Sequence, residues 1–267
     1  MYADGSVDQR ELDVLKKQLS DHDLFAGLND TAAQTLVGLA TDAVKFAGSS
    51  TGRVPAMAKG LPARIHRLAG YAMACEVCAA DENVDPAEAH YLETLRIALR
   101  VSPSEAQAIF AAARAKRLSA YLDDRVLRLR SLVPVVIEMF TLRAYARGTV
   151  TDEHRFALRD FIISVPDLSQ RTEEIEGELF KAFRKVRPQG FNVFSELQAL
   201  IKNIPDPVDR YWLTVYAMLA EPPGVVASWR VVPFIGLCQH AFQIGDADME
   251  LCAQDAMAFP STIPRPA

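Results

Sequence analysis

The sequence lacks the features that mark membrane, secreted and nucleic-acid-binding proteins. No apolar run approaches the ~20 uncharged residues that a membrane-spanning helix needs. The N-terminus has no basic segment followed by an apolar stretch, so no signal peptide is readable. Basic residues number 29 against 34 acidic ones, which leaves a net charge of −5 and no basic surplus to neutralise phosphate backbones. We therefore expect a cytoplasmic protein with no membrane span and no nucleic-acid partner.

Catalytic, redox and zinc motifs are also scarce. The sequence has no glycine-rich phosphate loop, no HExxH motif and no nucleophile elbow. Its four cysteines are Cys75, Cys78, Cys238 and Cys252. Cys75 and Cys78 lie in a helix-like stretch of small residues, whereas a redox C-x-x-C motif favours a strand-to-helix corner and a zinc site needs a second ligand pair. We expect these two to be buried thiols, and the protein not to be an enzyme.

The composition is that of a soluble globular protein, with 50% hydrophobic and 24% charged residues. The 267 residues suffice for one large core or two ordinary ones, because single cores stop growing near ~250 to 300 residues and most domains have ~100 to 150; we expect two domains. No segment shows clean alternation of apolar and polar residues, so the fold class is predicted to be all-α. Helix starts are predicted from capping residues and prolines at Asp85-Pro86, Ser102 with Glu105, Thr151 or Asp152, Ser169, and Asp206-Pro207.

Three further features bear on packing. Pro134 falls inside an apolar stretch predicted to be helical from Arg125 to Ala146, where it should kink the helix or start it. Trp212 and Trp229 are expected to pack in the core or between domains. The proline-rich end, Pro260 to Ala267, is expected to be a disordered or surface-draped tail.

An acidic turn at residues 80–88 recurs along the chain. An intact copy stands at residues 3–11, and eroded copies follow at residues 146–151 and around residues 224–226. The valines that mark the four turns are 77, 66 and 75 residues apart, whereas alternate valines are separated by 143 and 141 residues. Such spacing fits a duplicated two-unit domain better than a uniform solenoid. The domain boundary is therefore predicted near residues 117–124.

The intact turn reads Ala-Asp-Gly-x-Val-Asp-x-x-Glu, with a helix of small residues before the second copy and an amphipathic helix after it. This pattern resembles the tellurite-resistance TerB family and the related N-terminal domain of membrane-anchored DnaJ-like co-chaperones. Residues 1–117 look like one such domain without its first helix, residues 118–260 look like a degenerate second copy, and residues 261–267 form a tail. The resemblance implies two tandem helical bundles, each of two pseudo-repeated units, in proteins linked to metal or chemical stress without known catalysis.

The acidic side chains of the two intact turns are the candidate metal ligands. They are Asp4, Asp8, Glu11, Asp81, Asp85 and Glu88. Calcium and magnesium prefer several hard oxygen ligands that converge on one point, and two turns brought together by pseudo-symmetry would supply them. The TerB resemblance implies the same positions. A standard EF-hand is excluded for the second copy, because Val77 and Ala79 would occupy its first and third ligand positions.

Helix capping is the competing interpretation of the same carboxylates. Asp8 and Asp85 are then N-caps, with Glu11 and Glu88 completing capping boxes; a charged docking patch is a third interpretation. In the eroded turns, His154 and Trp229 replace the final Glu, and Arg147 replaces the first Asp. We therefore expect the second domain to bind no ion through its turns. His90, two residues beyond Glu88, is an isolated histidine for which ligation is the less favoured role.

These patterns predict a non-enzymatic binding or scaffold module of a stress-response or envelope-associated system. Its expected cofactor is at most a divalent cation, calcium or magnesium, and its expected partners are an unidentified protein or a second copy of the chain. One alternative is a metal-dependent hydrolytic enzyme that uses the same carboxylates. Another is a subunit of a larger complex, which an exposed apolar patch at residues 191–201 or at Trp229 would favour.

Overall fold

A computed structural model describes Asp13, Val54, Ala58, residues 61–79, Val84, residues 86–148, residues 150–185, Arg187 and residues 191–266. Every regular element in these ranges is helical, which confirms the all-α prediction. None of the helices in the same ranges is long and apolar enough to cross a membrane. The chain divides into two compact units, one of residues 1–61 and 65–125 and the other of residues 62–64 and 126–267.

We number the helices of the described part in chain order. They are α1 (Arg64–Cys78), α2 (Pro86–Ala98), α3 (Pro103–Arg114), α4 (Leu118–Arg130), α5 (Val133–Ala146), α6 (Asp152–Ser164), α7 (Thr172–Arg184), α8 (Val193–Ile201), α9 (Pro207–Leu219), α10 (Pro223–Val226), α11 (Pro233–Phe242) and α12 (Asp246–Ala258), with a 3₁₀ turn at Trp229–Val231.

The division between the units falls inside α4, after Arg125. The sequence predicted the boundary near residues 117–124, with domains of residues 1–117 and 118–260, and predicted a helix only from Arg125 onward. Leu118, Leu122 and Leu129 of α4 are buried, so the helix has an apolar face although many of its other residues are charged. That the two units are two TerB-like bundles, each of two repeats, stays a prediction.

Local capping chemistry sets the helix starts of the first unit. Ser102 is the N-cap of α3, its side-chain oxygen accepts a hydrogen bond from the Glu105 backbone N–H at 3.2 Å, and Pro103 occupies the first helical position. This is the predicted arrangement. It satisfies one of the backbone donors that every helix start leaves without an intrahelical acceptor.

The core of the first unit is made of small and aliphatic side chains from α1 to α4. Cys75 and Cys78 are 0% and 3% exposed in this core, which confirms the prediction of buried thiols. The fully buried Ile109 of α3 and the nearly buried Leu99, which follows α2, belong to the same cluster. The apolar faces of these helices therefore pack together in a common core, as in helical bundles in general.

The second unit is built around α9, which is buried from Trp212 to Leu219. This helix packs against α5, α11 and α12, while α7 packs against α5 and α6, and α8 packs against α5 and α11. Asp206 caps α9 by accepting from the Val208 N–H at 2.9 Å, as predicted. Trp212 and Trp229 are 2% and 4% exposed, which confirms that both pack inside.

One proline and one serine test the predicted helix boundaries. Pro134 lies in the first turn of α5, so it starts a helix, which was one of its two predicted roles. Ser169 was wrongly predicted to cap the next helix. Residues 165–169 form a turn in which the Leu168 and Ser169 N–H groups donate to the Val165 carbonyl, and α7 begins only at Thr172.

The proline-rich C-terminal segment differs from its predicted state as a disordered or surface-draped tail. Ile263 is only 6% exposed, and Pro266 is buried. Arg265 donates to backbone carbonyls at the end of α9. Residues 263–266 therefore pack against the second unit, because apolar and guanidinium side chains find partners there that the local sequence does not reveal.

Candidate functional site

Most of the predicted metal ligands belong to segments outside the described part of the chain. Asp4, Asp8, Glu11, Asp81 and Asp85 lie outside the residues that the structure describes. Glu88 is the third residue of α2 and is 8% exposed, so its carboxylate is buried near the positive end of the helix dipole. Within the described ranges, no group of three or more His, Cys, Asp or Glu side chains is arranged to hold a metal. The metal site therefore stays a prediction.

His90 does not join Glu88. The two residues are about 200° apart around the axis of α2, given 3.6 residues per turn. Glu88 is buried, whereas His90 is exposed. A ligand pair made by these two side chains is therefore not part of the site.

The third turn shows what the last position of the motif does when its acid is replaced. His154 holds the place of Glu11 and Glu88, and it is the third residue of α6. Its Nδ1 accepts from the Thr151 N–H at 3.2 Å, while its own N–H donates to Thr151 Oγ1 at 3.4 Å. This reciprocal pair is a capping box. It supports the capping interpretation for the third turn, and Glu88 occupies the same helical position in α2.

The third and fourth turns meet in the second unit. Arg147, just after α5, places Nη2 3.5 Å from Oε1 of Glu221, which lies just after α9. Arg143 Nη2, from the last turn of α5, donates to the same oxygen at 2.7 Å. Arg143 and Glu221 are 3% and 4% exposed. Arg143 and Glu221 thus form a buried ion pair between the ends of α5 and α9, and the half-exposed Arg147 of the third turn lies beside it.

Two opposing effects act on the pKa of Arg143 in this pair. Burial lowers the pKa of the Arg143 guanidinium, and the nearby Glu221 carboxylate opposes that shift. Each charge is kept in the low-dielectric interior by the other, so removal of one partner leaves an uncompensated charge, which typically costs ~3 to 5 kcal/mol. The pair is therefore a strong constraint on how the third and fourth turns approach each other.

A second buried network surrounds Asp209 of α9 in the same unit. Arg64 Nη1 donates to Asp209 Oδ1 at 2.7 Å, and Arg128 Nη2 donates to Asp209 Oδ2 at 3.0 Å. Asp167 Oδ2 accepts from the Arg64 backbone N–H and from the Tyr216 hydroxyl, both at 2.9 Å. Burial, reinforced by the Asp167 charge, raises the pKa of Tyr216 well above its usual value. This network fixes Pro62–Arg64 to the second unit.

The cysteines of the first unit are not activated for nucleophilic chemistry. Burial raises the pKa of the Cys75 thiol from 9.0 to about 12, with a smaller opposing effect from its hydrogen bond with Tyr71. Burial likewise raises the pKa of Tyr71. A reactive cysteine requires a lowered pKa and access to solvent. Cys75 therefore acts as a small apolar side chain.

The buried charges of the second unit were missed from the sequence. Arg143 stands in a mostly apolar helix whose other charged residue is Glu138, and Glu221 follows the mostly apolar run Leu213 to Ala220. A charge inside an apolar run is the local signal that could have found them, because fully buried charges are nearly always paired. The identity of each partner is not a local property, since 78 residues separate Arg143 from Glu221.

The described part of the chain defines the class, an all-helical protein that divides into two compact units. Residues 1–112 match the family model described as Tellurite resistance protein TerB. The N-terminal part of the chain is thus a TerB domain, as the acidic turns predicted. The match covers 112 of 267 residues, so the predicted second copy stays a prediction. No curated protein matches the chain. No solved structure matches it either.

Proposed function

We propose that the chain is a non-enzymatic binding module in which the two intact acidic turns of the TerB domain together hold one divalent cation, calcium or magnesium. One observation carries the proposal. The TerB match extends over residues 1–112 and includes both turns, residues 3–11 and 80–88, with all six candidate ligands. Carboxylate oxygens are the ligands that both cations prefer.

The second unit supports the idea that paired turns approach each other. On the predicted duplication, the third and fourth turns correspond to the first and second. Arg147 and Glu221 bring the third and fourth turns within an ion pair of 3.5 Å. The corresponding approach in the TerB domain would bring Asp4 of the first turn close to Ala80, which is followed by the acids of the second turn, and a divalent cation would relieve the repulsion between the carboxylates of the two turns. In the second unit, arginine already supplies the positive charge.

The proposed role of the cation is structural. It would hold two helix starts together and so present a fixed surface to a protein partner, in a cytoplasmic stress-response or envelope-associated assembly. Glu88 supports such a role, because its carboxylate is buried in the first turn of α2 rather than extended into solvent.

The test is a titration of the purified chain with calcium and with magnesium, followed by calorimetry and thermal unfolding. We expect saturable heat, and a stabilisation of ~2.7 kcal/mol at a free cation concentration of 100 times Kd. Asp81→Asn with Asp85→Asn should abolish both effects. Asparagine caps helices about as well as aspartate, so this variant removes ligand charge and keeps the cap.

The matched control is Asp123→Asn with Asp124→Asn, which removes the same charge from exposed positions on α4. It should bind the cation as the unaltered chain does. No heat and no thermal shift with either cation would refute the proposal, as would equal loss of binding in the control.

A further inference from the structure

The last residues of the second unit form a strap, which we define as residues 259–266 and call the C-terminal strap. It follows α12 without helical structure, apart from a turn in which the Ile263 N–H donates to the Pro260 carbonyl at 3.2 Å. Phe259 and Ile263 are 4% and 6% exposed, and Pro266 is buried. The strap is therefore a non-helical segment whose residues Phe259, Ile263 and Pro266 pack against their own unit, and we call the surface that receives them the groove.

Two arginines fix the strap, one from each side. Arg265 of the strap donates through Nη1 to the Leu219 carbonyl at 2.8 Å and also to the Glu221 carbonyl. These acceptors lie at the C-terminal end of α9, where helix carbonyls have no intrahelical donor. In the opposite direction, Arg143 donates through Nη1 to the Pro266 carbonyl at 2.6 Å. The groove thus requires a guanidinium at one position of its occupant and a carbonyl at the next.

Pro266 is buried against the second unit with little empty space beside it. It borders a cavity of only about 10 Å³, which aromatic, aliphatic and polar side chains of α5, α6 and α7 also line. The lining residues are Phe140, Arg143, Ala144, His154, Leu158 and Phe183. Grooves lined by aromatic residues are a common way to bind proline-rich extended segments, whose restricted backbone loses little entropy on binding.

We propose that this face of the second unit is a peptide-binding groove for another polypeptide with an extended arginine flanked by prolines, and that the C-terminal strap fills it in cis. The occupant's chemistry follows from the groove. Without a strap, the α9 carbonyls need a cationic donor and Arg143 needs a backbone acceptor. A segment with the Ile-Pro-Arg-Pro pattern of residues 263–266 supplies both. This inference does not depend on cation binding by the TerB domain.

The strap of the chain and a segment of a partner would compete for the same groove. A tethered strap acts at an effective concentration in the millimolar range for a short flexible link. A partner segment must therefore bind more tightly than the strap or be delivered at high local concentration. The intact chain is self-occupied, and removal of the strap exposes the groove.

The test uses a variant that lacks residues 260–267 and a synthetic peptide of those eight residues, with binding measured by fluorescence anisotropy and calorimetry. We expect one peptide per chain and at least tenfold weaker binding to the intact chain. The peptide with Arg265→Ala should bind at least tenfold more weakly, as should the truncated chain with Arg143→Gln. The truncated chain with Arg147→Gln is the matched control and should keep full affinity, since no contact joins Arg147 to the strap in the described residues.

If the truncated chain does not fold, the full chain with Arg265→Ala replaces it, because this variant keeps every strap residue except the one that anchors it. It should bind the unaltered peptide at least tenfold more tightly than the intact chain does. Peptide binding that ignores Arg265 and Arg143, or none at millimolar peptide, would overturn the proposal. A dimer of the intact chain that the peptide dissociates would also overturn it, and would assign the groove to exchange of the strap between copies.

Discussion

Replacement of Asp209 by asparagine tests the reasoning about buried charge in the second unit. Asp209 is 3% exposed and faces Arg64, whose side chain is 4% exposed. Asparagine keeps the shape and can accept a hydrogen bond, but it removes the negative charge that holds the Arg64 guanidinium in the interior. Loss of one partner of a buried pair costs ~3 to 5 kcal/mol, which for a chain of this size corresponds to a fall in Tm of about 6 to 20 °C.

Tryptophan fluorescence provides a selective assay. The chain has two tryptophans, Trp212 and Trp229, and both belong to the second unit. Urea and thermal unfolding followed at this signal therefore report the stability of that unit. Arg128→Gln is the control, because Arg128 contacts the same carboxylate with a side chain that is 45% exposed. Exposed ion pairs typically contribute less than ~1 kcal/mol. An Asp209→Asn effect as small as that of the control would refute the reasoning.

Three further predictions concern single groups. Ser102→Ala should destabilise the first unit by ~1 kcal/mol, since it removes the N-cap of α3; circular dichroism during urea unfolding measures this loss, and no change would contradict the cap. Glu221→Gln should lower the free energy of unfolding by ~3 to 5 kcal/mol, because the carboxylate is buried, and Arg147→Gln should lower it by less than ~1 kcal/mol, because the Arg147 side chain is 48% exposed. Tryptophan fluorescence during unfolding measures both, and equal effects would contradict this assignment. Cys75, with its pKa raised to about 12, should resist alkylation at pH 9 unless urea is present. The stabilisation linked to this thiol is complete below about pH 9 and declines as the pH rises towards 12, because only the unfolded chain releases its proton in that interval; alkylation at equal rates with and without urea would contradict it.

Signals that act within a few residues were readable from the sequence. Ser102 with Glu105, Thr151 with its helix, and Asp206 with Pro207 each combine a cap and a helix start within four residues, and all three were predicted. Pro134 was readable for the same reason, because its ring and missing N–H act on its own turn. Ser169 failed because the turn at residues 165–169, rather than a capping preference, sets the start of α7.

Contacts between distant segments were not readable. Arg64 and Asp209 are 145 residues apart, and Arg143 and Pro266 are 123 residues apart. Only the packed fold brings them together, and no property of either segment specifies the other. The missed helix α4 is an intermediate case. Leu118, Leu122 and Leu129 already have helical spacing, but the predicted helix began only at Arg125.

The candidate site divides in the same way. The acidic motif identified the TerB domain from nine residues, because the motif itself carries the resemblance. The burial of Glu88 was not predicted, since burial depends on what the rest of the unit places over α2. The ion pair between Arg147 and Glu221 was not predicted either, although Arg147 was recognised as the replacement for an acid.

Native mass spectrometry of the intact chain in calcium and in magnesium tests the central proposal most directly, because it counts bound ions. We expect one ion per chain, because the intact turns bind a cation and the eroded turns do not. The Asp81→Asn, Asp85→Asn variant should lose this ion. The Asp123→Asn, Asp124→Asn variant should keep it. A chain that binds no ion, or two ions that survive the first pair of substitutions, would contradict it.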